Sequence, residues 1–76
     1  MEAVLRDILR TLAKHPDELR LTEVTGARTV IYELRCHPED VGPIIGKNGK
    51  TISAIRILLN AFANPHGLNA VFEVFE

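Results

Sequence analysis

Aromatic residues are scarce in this chain, with no tryptophan, one tyrosine and three phenylalanines among 76 residues. That scarcity argues against the aromatic platforms on which some nucleic-acid-binding folds stack successive bases. Cysteine is rarer still: Cys36 stands alone, so no internal disulfide can form, in keeping with a reducing compartment. It falls inside an expected strand and reads as a buried structural thiol. His15, His37 and His66 sit beside prolines and share no metal-ligand spacing with Cys36. Turn or cap positions account for them, and neither metal nor cofactor is expected.

Long apolar runs are also missing. Nothing approaches the about 18 consecutive apolar residues of a membrane span, and no charged leader precedes an apolar stretch. A cytoplasmic protein with no membrane association is the expectation. With no repeat, low-complexity tract or linker, residues 1–76 read as one domain with a modest core.

A strong positive charge, the usual footprint of a nucleic-acid binder, is absent too, since the net charge is −1. Its distribution is uneven, however. Met1 to Val41 carries six basic and eight acidic residues, Gly42 to Phe72 three basic and none acidic, and Glu73 and Glu76 close the chain. The cationic excess is therefore Lys47, Lys50 and Arg56, which on a helix would ordinarily be a solvated face.

The periodicities define six elements. Val4, Leu5, Ile8, Leu9 and Leu12 recur at helical spacing and predict an amphipathic helix over 2–14, ended by His15 and Pro16. Leu19 to Thr25 alternates loosely, with Val24 out of phase, as a bulge or an early turn would cause. Gly26 and Ala27 turn the chain into a cleaner strand over 28–36, with Val30, Tyr32, Leu34 and Cys36 on one face. His37 and Pro38 open a short helix whose first turn holds Glu39 and Asp40. Pro43 should distort or break it before Ile44. A longer helix over 50–63 turns Ile52, Ile55, Leu59 and Phe62 inward, until Asn64, Pro65 and Gly67 stop it. A last strand over 69–75 has both faces partly apolar. The order α-β-β-α-α-β predicts an α+β sandwich, with a three-stranded mixed sheet and three helices on one face.

The segment that organises these elements is Val41 to Arg56, in which Gly46 and Gly49 enclose Lys47 and Asn48 between two helices. Glycine reaches positive φ at little cost and has no Cβ to hold another backbone away. Amides opening the following helix can point outward at its positive end, and Lys47 and Lys50 add mobile cationic donors. A phosphodiester backbone suits such a site.

Two rival chemistries fail on spacing. Gly49, Lys50 and Thr51 end like a phosphate-binding P-loop, but the glycine required five positions earlier is Ile44. The acidic pairs Asp17–Glu18 and Glu39–Asp40 are adjacent residues that do not flank a common bond, so no catalytic residue is assigned. A plain helix-turn-helix corner, with glycine merely reversing the chain, is the bland reading of the loop.

Ile45, Gly46, Gly49 and Ile52 match Ile-Gly-x-x-Gly-x-x-Ile, and the segment resembles the signature of the KH RNA-binding domain in its bacterial type II arrangement. Over nearly its whole length the chain is similar to the stand-alone KH proteins of the KhpA (YlqC-like) family. That resemblance implies a clamp on about four nucleotides of single-stranded RNA. The expected RNA-binding residues are Ile44, Ile45, Gly46, Lys47, Asn48, Gly49, Lys50, Ile52, Ser53 and Arg56. Amides around Gly46 to Lys50 and the Lys47 side chain would meet phosphates, and Ile44, Ile45, Ile52 and Ile55 would form the groove and its floor. Pro43 departs from the pattern, standing where a basic or helix-compatible residue is usual.

The resemblance further implies self-association, a larger KH-containing partner of the KhpB (Jag-like) type, and a role as RNA chaperone or post-transcriptional regulator. A protein-interaction or ribosome-associated scaffold, with its loop idle, is the alternative. Ile31, Val71 and Phe75 would share the sheet face away from the helices, either as a partner surface or as scattered surface apolars. The last strand could instead pair edge to edge.

Overall fold

The computed structural model describes residues 1–76. Helix α1 (Glu2–Leu12) leads through a 3-10 turn at Pro16–Glu18 into strands β1 (Arg20–Thr25) and β2 (Thr29–Arg35). Helices α2 (Pro38–Ile45) and α3 (Lys50–Ala63) follow, joined by a 3-10 turn at Lys47–Gly49. A last 3-10 turn, Asn64–His66, precedes strand β3 (Asn69–Phe75). The sheet order is β1-β2-β3, antiparallel between β1 and β2 and parallel between β2 and β3. A parallel pair needs a crossover, and α2 with α3 supplies it.

One core fills the space between the helices and one face of the sheet. Leu5 and Leu9 of α1, Ile44 of α2, and Ile52, Ile55, Leu59 and Ala63 of α3 meet Val30, Tyr32, Leu34, Ala70 and Phe72 of the strands. Phe72 and Leu34, on neighbouring strands, are completely buried. Burying one side chain of this size contributes about 1.5–3 kcal/mol, so a core of this size is what a 76-residue chain has to set against its lost entropy. No helix is long and apolar enough to cross a membrane.

Four local expectations change. First, α2 continues through Pro43 to Ile45 instead of breaking. Proline forfeits one bond, to the Glu39 carbonyl, while the fully buried Asp40 and Ile44 anchor the helix on either side. Second, Phe62 is 50% exposed, and Ala63 takes the inward place. At 100° per residue Ala63 falls in line with Ile52, Ile55 and Leu59, whereas Phe62 lies at the edge of that stripe. Third, β1 carries no bulge, because its register with β2 is unbroken from Arg20↔Arg35 to Thr25↔Val30. Val24 is out of phase with Leu21 because it lies on the outer face, opposite Ile31. Fourth, α1 stops at Leu12, short of Lys14.

The free edge of β3 is already occupied. Asn60 accepts the Ala70 amide at 2.9 Å and donates to the Ala70 carbonyl at 3.1 Å. Arg56 donates to the Phe72 carbonyl through Nε and Nη2, at 3.3 and 3.0 Å. Edge-to-edge pairing along this stretch would have to break those bonds.

Candidate nucleic-acid interface

Helix α2 delivers the glycine loop. Gly46 lies at φ 78°, ψ 169° and donates its amide to the Gly42 carbonyl at 2.8 Å, closing the helix. Asn48 (φ 58°) and Gly49 (φ 73°) are both left-handed, a conformation asparagine accepts better than most other side chains. Gly49 then caps α3 without any side-chain hydrogen bond over the helix start.

The two glycines are needed for different reasons. A Cβ on Gly46 would stand 2.2 Å from Thr51 Oγ1 and 2.8 Å from the Thr51 amide nitrogen, so both contact and φ exclude a side chain. At Gly49 the nearest atom to an added Cβ is 4.0 Å away, and conformation alone favours glycine. The loop therefore presents bare main chain beside Thr51, with Lys47, Asn48 and Lys50 exposed around it.

The amides contribute less than the sequence suggests. Besides Gly46, Gly49 donates to the Gly46 carbonyl at 3.1 Å, and Lys50 donates to the Lys47 carbonyl. Three of the five amides between Gly46 and Lys50 are thus taken by the turn itself. The side-chain donors around the turn are those of Lys47, Asn48 and Lys50, all exposed.

The other expected residues separate by depth. Ile44, Ile52 and Ile55 are buried core beneath the loop, while Ile45 reaches solvent. Ser53 and Arg56 lie exposed along the flank of α3, with Ile57, 72% exposed, on the side of Ser53 away from Arg56. Arg56 faces the β3 edge and is held there by the Phe72 carbonyl, so it sits along the helix and not at the loop tip. The one recess in the molecule, about 270 Å³, lies elsewhere, among Met1, Glu23, Tyr32, Phe62 and Leu68.

The profile of the KhpA/KhpB KH-domain family matches residues 2–74. The chain belongs to that family. Similar KH proteins of the family include the RNA-binding protein KhpA of Chlamydia pneumoniae, 42% identical over 76 residues, which spans all of this chain and 97% of the relative. That of Clostridium acetobutylicum is 39% identical over 97% of this chain and 99% of the relative. That of Thermotoga maritima is 43% identical over 61 residues, 80% of this chain and 81% of the relative. No solved structure matches.

This KH domain anchors the other end of α2 with side chains. His37 Nδ1 accepts the Glu39 amide at 3.0 Å and caps the helix. Asp40, fully buried, turns back to accept the amides of Lys14 at 2.7 Å and His15 at 2.9 Å, where the chain leaves α1. Burial acts to raise the Asp40 pKa, but the two amides and the nearby histidines outweigh it and hold the carboxyl below its ordinary value. Glu39 pairs with His15 Nε2 at 2.8 Å. That hydrogen bond raises the His15 pKa and lowers that of Glu39.

Sequence reasoning missed Asp40 and Asn60. Asp40 looks like any first-turn acid serving the helix dipole, and Asn60 like an ordinary exposed helix residue. His-Pro-acid-acid occurs at both 15–18 and 37–40, but the two copies fold differently, the first as a 3-10 turn without a side-chain cap and the second as the start of α2 capped by His37.

Proposed function

We propose that this chain binds single-stranded RNA through the Gly46–Gly49 loop, without catalysing a reaction, and acts as an RNA chaperone or post-transcriptional regulator. The observation that carries the reading is the contact between Gly46 and Thr51, which leaves no room for a side chain at 2.2 Å. A turn that only reversed direction would not need a backbone stripped so closely beside two exposed lysines. In this reading Lys47 and Lys50 meet phosphates and Asn48 offers its amide. Ile45, Ser53 and Ile57 border the bases, while Ile44, Ile52 and Ile55 hold the floor. The absence of any acid between Gly42 and Phe72 keeps that surface free of repulsion. The names of the similar proteins point the same way.

The test is the double substitution Lys47→Asp with Asn48→Asp, measured by fluorescence anisotropy on a short unstructured oligoribonucleotide. Binding should be lost while the circular-dichroism melt stays nearly unchanged. Retained affinity would reject the loop as the binding site.

One such domain gives a small footprint, and weak sites gain most from being joined. We propose that the outer sheet face supplies the junction, to a second copy of this chain or to a KhpB-type KH partner. The sheet register aligns Val24, Ile31 and Val71 in one row there, with Phe75 further along the same face and Arg35 over its ring at 5.2 Å. Phe75→Glu should give a monomer by light scattering, and an unchanged mass would reject this face. If only the loop substitution left function intact, the scaffold reading, including ribosome association, would replace RNA binding.

A further inference from the structure

Twenty-one residues lie between His15 and His37 in the chain, yet their rings stack with centroids 3.9 Å apart and planes 20° apart. Glu39 closes the group. One ligand atom from each of His15, His37 and Glu39 lies within 4.8 Å of the other two. Glu39 Oε1 is 2.8 Å from His15 Nε2 and 3.9 Å from His37 Nδ1. We propose that His15, His37 and Glu39 form a binding site for a divalent transition-metal ion of the zinc class, independent of the RNA-binding loop.

The dimensions agree with that chemistry. Zinc–nitrogen bonds of about 2.0–2.1 Å and zinc–oxygen bonds of about 2.0–2.2 Å set tetrahedral ligand atoms roughly 3.3 Å apart. The observed separations of 2.8 and 3.9 Å bracket that value. Two imidazoles with one carboxylate favour zinc, nickel or copper over magnesium or calcium, which seek oxygen shells. Water would fill the remaining position, because all three side chains reach solvent, at 35%, 30% and 64% exposure.

The frame around the ligands is fixed by the fold. Both histidines precede prolines, which keeps their backbones out of the helical region: His37 is extended at φ −60°, ψ 141°, and His15 lies at φ −120°, ψ 66°. Asp40 grips the His15 amide from below. Glu18 Oε2 lies 3.9 Å from His15 Nδ1, beyond hydrogen-bond reach, and would have to close on that nitrogen to orient a metal-bound ring. Two local adjustments are required. Stacked rings must splay, since a metal lies in the plane of each imidazole. His37 must also either release the Glu39 amide from Nδ1 or turn to present Nε2. An ion held here would cross-link the segment after α1 to the first turn of α2, the helix whose other end delivers the glycine loop.

The experiment uses the full chain after chelator treatment, titrated with Zn²⁺ alone by calorimetry and thermal melting, with Mg²⁺ as the control ion. Saturable one-to-one binding and a melting temperature that rises with Zn²⁺ but not Mg²⁺ are expected. His15→Asn, Glu39→Gln and His37→Asn, the last of which keeps a capping side chain, should each weaken binding by at least about tenfold, as loss of a metal contact does. His66→Asn and Cys36→Ser should leave it unchanged. Imidazole NMR signals of the unsubstituted protein give a readout that needs no variant: Zn²⁺ should move those of His15 and His37 and not that of His66. Absent saturation, affinity unmoved by His15→Asn and His37→Asn, or dependence on His66 or Cys36 would each overturn the site.

Discussion

The two ends of α2 are built in opposite ways. Its first turn is locked by side chains: His37 caps it, Asp40 reaches back to the chain leaving α1, and Glu39 pairs with His15. Its last turn runs into a glycine, a left-handed asparagine and a second glycine, with no side-chain cap at the end of α2 or the start of α3. Eight residues thus connect a closed polar junction to an open cationic loop. A ligand-gripping loop must keep its surroundings free for the ligand, so its geometry has to be enforced from elsewhere. In this domain the enforcement comes from the buried end and from Ile44 beneath the loop.

The largest effect is expected at the locked end. Asp40→Ala leaves the part-buried amides of Lys14 and His15 without their acceptor. It should lower the melting temperature more than any loop substitution, while the folded fraction still binds RNA. Acid probes the same group. Because the folded-state pKa of Asp40 is depressed, its contribution is present above the ordinary aspartate range and lost as pH falls through the folded value. The acid limb of the melting curve should therefore flatten in Asp40→Asn.

At the open end, Gly46→Ala combines strained φ with the Thr51 contact. It should destabilise by about 1–3 kcal/mol and weaken RNA binding in the same molecule. Adding Thr51→Ala removes only the nearest atom, Oγ1, and leaves the Thr51 Cβ at 2.6 Å and its amide nitrogen at 2.8 Å, so little recovery is expected in denaturant titration. Gly49→Ala, which meets strain without contact, should cost less than Gly46→Ala, and equal costs would undo the distinction between the two glycines.

Smaller effects are expected along α3. Asn60→Ala removes the paired bonds to Ala70 and should destabilise by about 1–2 kcal/mol, exposing part of the β3 edge. Last, if about two or three phosphates are neutralised, log affinity should fall with log salt at a slope of roughly −1.4 to −2. A flat dependence would remove the lysines from the interface.

Much of this architecture was legible because it rests on periodicity. The spacing of Leu5 and Leu9, the alternation from Val30 to Cys36, and the stripe Ile52, Ile55, Leu59 each specify an element and its buried face. Pro43 misled because its local cost is real but outweighed by the burial of Asp40 and Ile44. Phe62 misled because three- and four-residue spacings are equally helical, and only the direction of the core decides between Phe62 and Ala63. At the candidate site, residue types and the glycine spacing were readable. The commitment of the Gly49 and Lys50 amides within the turn was not, since it depends on how tightly the loop winds. Nor was the meeting of His15 with His37, which depends on how α1 packs beside α2.

The most direct test of loop-mediated recognition is an amide NMR titration of the ¹⁵N-labelled chain with a short unstructured oligoribonucleotide. Shifts should concentrate from Ile45 through Ile57, with Lys14, His15 and Asp40 almost still. A silent loop, with shifts gathered instead around Phe62 or on the outer face at Ile31 and Val71, would contradict loop-mediated recognition.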